Sequence, residues 1–272
     1  MAFRSHLGRR LDMRLPSNRA IVALTLVIAA ASAVVVLSGG DRSILLAPLH
    51  TFALWALLRE IDPDHNASAL LAAAAGGLWV ISGLNSSGLT VTAGVAVAAR
   101  VAVSSTGRRP LPTDLFGLVV IAAVVSLWGT GWVAGFAIAV AIYVDHRMAD
   151  EKKPATIIVA AIAGLVAAAV GSLVTNLPAD ALTVMPEIIL PTGILALFAI
   201  IREPAPPISV VDSRRGGKLS VNRLHAARGI GAVAIFVATL VAGPESAGMV
   251  PAGLALAIAL VSNEGERRSR SV

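Results

Sequence analysis

The sequence predicts an all-α, polytopic transmembrane helix bundle of about ten spans, arranged as five helical hairpin repeats with both termini cytoplasmic. Three observations carry this expectation. Of 272 residues, 56% are hydrophobic and only 14% charged, too few charges to cover a water-soluble surface. The apolar residues fall into long runs separated by short polar links. The basic residues lie in alternate links, where they mark topology. A net charge of +6 would otherwise suggest nucleic acid, but no basic stripe is present, so no nucleic-acid partner is expected. The absence of cysteine excludes a disulfide scaffold.

Taken in order, the apolar runs cover 20–38, 43–58, 67–84, 88–104, 114–128, 131–144, 156–175, 184–201, 226–242 and 247–262. They define a basic tail (1–19), one transmembrane domain (20–262) and a C-terminal tail (263–272). The first run follows Arg9, Arg10, Arg14 and Arg19 as a signal peptide would, but it is too long for a signal h-region and reads as an uncleaved helix. Several later runs fall short of the roughly 20 residues that span a full bilayer core. Between the fifth and sixth runs, Trp128-Gly129-Thr130-Gly131-Trp132 is either a tight turn or a kink in one long helix. Charge decides for the turn. With ten spans, every one of the 22 Lys and Arg residues except Arg42 lies on one side, which the positive-inside rule makes cytoplasmic. An Arg-heavy, Ala- and Val-rich composition points to a bacterial cell (inner) membrane.

The hairpins are 20–58, 67–104, 114–144, 156–201 and 226–262, at a period of roughly 45 residues broken only by the longer loop before the last. Their second helices align without gaps. The segment 48–60 matches 191–203 in its proline, aromatic and Arg-Glu landmarks, and 251–261 follows the same pattern. Pro48, Pro191 and Pro251 are expected to kink these helices, because proline removes a backbone bond and crowds the preceding turn. Small-residue pairs such as Gly76-Gly77 suit close helix packing in lipid.

Within the spans, His50 occupies the position where the other hairpins have glycine. It stands nine residues from Arg59, about 13 Å along a helix and close to the midplane. Such a group is either a structural histidine bridging helices or part of a substrate or proton relay. Glu187 is the carboxylate near a helix entrance on the outer face, able to meet a cation or amine, or simply solvated. Arg59, Asp62, Asp64 and His65 in one link, with Asp145 and His146 in another, are candidates for a lipid phosphate or a divalent ion; a solvated charged loop is the plainer reading. Arg100, set above its helix end, is expected to snorkel. The sequence has no P-loop, zincin motif or nucleophile elbow, so no cofactor is expected, and no metal beyond the divalent-ion candidates of these links is assigned. The expected surroundings are a bilayer with anionic lipid at the cytoplasmic face, with a membrane-protein partner or a homo-oligomer as further company. The function expected from this pattern is a permease or translocator of a small or lipid-linked substrate built around His50; the alternative is a non-catalytic scaffold or accessory subunit of a cell-envelope complex, and the second alternative an interfacial enzyme on a phospho-lipid.

Overall fold

The computed structural model describes residues 5–7, 11–84, 87–106, 110–148, 155–174, 186–207 and 219–270. Among these the protein is all-α, with ten helices: α1 (Pro16–Leu37), α2 (Ala47–Ile61), α3 (Asn66–Ile81), α4 (Leu89–Val103), α5 (Pro112–Ser126), α6 (Gly131–Arg147), α7 (Ala155–Val174), α8 (Pro186–Ile201), α9 (Val221–Ala242) and α10 (Val250–Arg270). Four helical runs are long and apolar enough to cross a membrane: Pro16–Leu37, Arg42–Ile61, Val221–Ala242 and Glu245–Ser262. Of the other helices α7 has 20 residues and the rest have 15–17. A 15-residue helix such as α4 rises only about 22 Å at 1.5 Å per residue, against a hydrocarbon core of roughly 30 Å.

Helices α2, α4, α6 and α9 form the interior, with α4 packed against the other three. Helices α1 and α3 flank α2, α5 and α7 flank α6, α8 lies against α9, and α10 packs mainly against α3. Small side chains set these distances. Gly94 of α4 faces Ala134 of α6 so closely that a Cβ at Gly94 would overlap the alanine methyl. This is how helices associate in lipid, where apolar burial gives no net drive and close van der Waals contact must supply it. The flanking helices turn bulky apolar side chains outward, among them Leu26 and Val27 on α1, Phe116 on α5 and Val159 on α7.

The segment 114–144 is two helices, not one rod: α5 ends at Ser126 and α6 begins at Gly131. Gly129 takes φ +48° in the intervening turn, a left-handed conformation that glycine adopts without the usual Cβ penalty.

The prolines differ from expectation in a specific way. Pro191 lies inside α8. Pro48 and Pro251 are instead the second residues of α2 and α10, each preceded by a 3-10 segment, Arg42–Leu46 and Gly243–Met249. There they mark a change from 3-10 to α winding rather than a break in an α-helix, because a first-turn residue has no intrahelical N–H bond to lose. The C-terminal boundary also moves. The backbone of α10 continues to Arg270, through a polar stretch rich in Glu and Arg.

Candidate functional site

Most of the ionisable side chains singled out in the sequence gather at one end of the bundle, where α2, α4, α6 and α9 meet. The chain arranges them as pairs. Asp62, just past α2 and 1% exposed, receives His65 Nδ1 at 2.8 Å and lies 3.8 Å from Arg228 Nη2. Arg228, itself 1% exposed, donates from Nε to the carbonyl of Ile61 at 2.8 Å. One residue before the end of α2, Glu60 Oε1 accepts from Arg100 Nη1 of α4 at 3.0 Å. On α6, Asp145 Oδ1 accepts from Arg223 Nη1 of α9 at 2.8 Å, and the same guanidinium donates to the carbonyls of Ala102 and Met148, each at 3.1 Å.

The reason is electrostatic. An arginine on an otherwise apolar helix must find an anion or carbonyl oxygens once buried, because desolvating an unpaired charge is far more costly than ordering a pair. The three pairs join α2 to α9, α2 to α4, and α6 to α9 and α4. Together they form a clasp that ties the interior helices at their charged ends.

The N-terminal segment joins the same end. Arg100 Nε donates to the carbonyl of Leu7 at 2.6 Å, and the backbone N–H of His6 donates to Asp114 Oδ2 at 3.0 Å. Asp114 also accepts from the backbone N–H of Leu111 at 2.9 Å, capping the start of α5. Arg100, expected to snorkel, is therefore spent on Glu60 and the N-terminal segment.

The candidates from the sequence separate accordingly. Arg59 donates to the carbonyl of Pro63 at 2.7 Å and to Asn66 Oδ1, closing its own link. Asp64 and His146 are half-buried, and Asp145 and Asp62 belong to different pairs. Among the described residues no group of three or more His, Cys, Asp or Glu side chains is assembled to hold a metal ion. Glu187 is the second residue of α8, and its side chain lies outside the described residues. Glu60, Asp114, Arg223 and Arg228 were not singled out as site residues from the sequence. Their only advance signal was position, since Arg223 and Arg228 sit five residues apart at the head of an apolar helix.

His50 is separate from this clasp. It is the ninth residue of the twenty-residue helical run Arg42–Ile61, fully enclosed at 0% exposure beside the equally buried Thr51.

Between α6 and α9 a lateral cleft of about 420 Å³ opens on the bundle's side. Its walls are apolar throughout, with Trp132, Phe136 and Val140 on α6 facing Gly229, Val233 and Val237 on α9. His50 is not among its lining residues. The chain matches no protein-family model, no curated protein and no solved structure.

Proposed function

We propose that the chain is a multi-pass protein of a bacterial inner membrane, with ten spans in five hairpin repeats and both ends cytoplasmic, working as a non-catalytic scaffold or accessory subunit of a cell-envelope complex. The repeat reading draws support from the first and fifth hairpins. In both, a 3-10 segment leads into an α-helix whose second residue is proline. The single observation that carries the scaffold role is the closed interior. His50 has no exposed surface, α4 and α6 are in contact through Gly94 and Ala134, and the charged ends of the interior helices are bound by ion pairs whose carboxylates are buried. A substrate path requires polar or hollow space along the helix axes.

A permease or translocator is the second reading, favoured by one feature: an ionisable side chain in the middle of an apolar run, which is costly and commonly functional. The two readings separate on the access of water to position 50. The chain has no cysteine, so a single His50→Cys is the sole target for a water-soluble thiol reagent. A scaffold leaves that cysteine unlabelled over the time in which Ser38→Cys, exposed at the end of α1, is fully modified. Labelling at a rate close to that of the Ser38→Cys control overturns the closed interior and selects the translocator.

A further inference from the structure

The apolar cleft between α6 and α9 does not stop at its apolar lining. Along α6, Val133, Phe136, Val140, Tyr143 and Arg147 recur at steps of three, four, three and four, which sets them on one face of the helix. The first three line the cleft. Tyr143 is 51% exposed, and Arg147 is exposed in the last turn. Of the other arginines at this end, Arg59, Arg100, Arg223 and Arg228 are engaged by carboxylates or carbonyls. No ion pair or hydrogen bond of the described residues engages the Arg147 side chain. Across the cleft on α9, a Cβ built at Gly229 meets nothing within 4 Å, so the missing side chain leaves a notch at the end of the cleft nearest Arg147.

This stripe grades from aliphatic to phenol to guanidinium, the polarity sequence of a phospholipid from chain to ester to phosphate. Its scale fits as well. From Arg147 to Phe136 is eleven residues, about 16 Å of helix, close to the roughly 15 Å depth of one hydrocarbon leaflet. A guanidinium is suited to a phosphate through its fork of donors.

We propose that the α6/α9 cleft seats one acyl chain of an anionic phospholipid, with its ester region beside Tyr143 and its phosphate on Arg147. The proposal rests on the membrane reading and is independent of the choice between scaffold and translocator, because neither the cleft nor the stripe includes His50.

Native mass spectrometry of the full chain, purified in mild detergent with equal amounts of phosphatidylglycerol and phosphatidylcholine, tests it. The native chain is expected to retain the anionic lipid about fivefold over the zwitterionic one, the worth of one surface arginine. Arg147→Gln brings the two to parity. Gly229→Leu, which fills the notch, lowers retention of both, and Gly229→Ala does so in part; unchanged helicity by circular dichroism shows that each variant is folded. Parity in the native chain, or full retention in folded Gly229→Leu, overturns the proposal. So does a dimer that carries no lipid and dissociates on Gly229→Leu, since a second copy would then cover the cleft.

Discussion

The clasp at the charged end should dominate the stability of the bundle, and Arg223 is its most connected member. Replacing Arg223 with alanine removes the 2.8 Å pair with Asp145 and the two 3.1 Å bonds to the carbonyls of Ala102 and Met148. Asp145 is 3% exposed, so water cannot easily replace the lost guanidinium. Breaking one side of a buried pair, whose lost partner here also supplies charge-assisted bonds to two carbonyls, costs about 3–5 kcal/mol. The single variant is therefore expected to lose about 4 kcal/mol. Arg223→Lys keeps the charge but cannot reach three oxygens with one planar group, and should recover about half. The diagnostic comparison is the double variant Arg223→Ala with Asp145→Ala. With no stranded carboxylate it should be more stable than Arg223→Ala alone, giving a coupling above about 1 kcal/mol. Equilibrium unfolding in mixed micelles, followed by circular dichroism, measures these variants beside the single Asp145→Ala and the native chain. A loss below about 1 kcal/mol for Arg223→Ala, with the two single effects simply adding, is the signature of a solvated surface pair and would refute the clasp.

Glycines in matched helical settings give a second check. A Cβ at Gly171 on α7 would come within 2.5 Å of the Ser126 carbonyl oxygen, a backbone atom that cannot step aside, so Gly171→Ala should cost about 1–3 kcal/mol. Gly117 on α5 has nothing within 4 Å of the same construction, and Gly117→Ala should be neutral or stabilising by up to about 1 kcal/mol; the same unfolding assay ranks the two, and equal effects would contradict the packing. At the opposite end of the bundle, the Ser43 hydroxyl and then its backbone N–H hold the Asp41 carboxyl below the usual carboxylate range. A depressed folded value stabilises the turn above the unfolded pKa, and that contribution is lost as pH falls through the folded pKa. Ser43→Ala should move the Asp41 titration upward by carboxyl NMR, and an unmoved titration would remove the hydroxyl as its cause.

Helix identity and the place of most turns were legible in the sequence, because hydropathy and the demand for satisfied backbone groups act locally. The break at 127–130 followed from charge counting, and α5 and α6 are accordingly separate. The proline landmarks were visible as well, yet a first-turn proline and an interior one look alike until the helix start is known. Pro48 and Pro251 thus mark 3-10 junctions where kinks were expected.

Composition and periodicity by themselves determined an α-helical chain built for lipid and the order of its helices. Only the tertiary structure decided which charges are partners. Asp62 and Arg228 lie 166 positions apart, and Asp145 and Arg223 are 78 apart, so nothing local links them. Their pairing exists because helix packing excludes water from both groups at once, and a desolvated charge settles on whichever opposite charge the fold brings within reach.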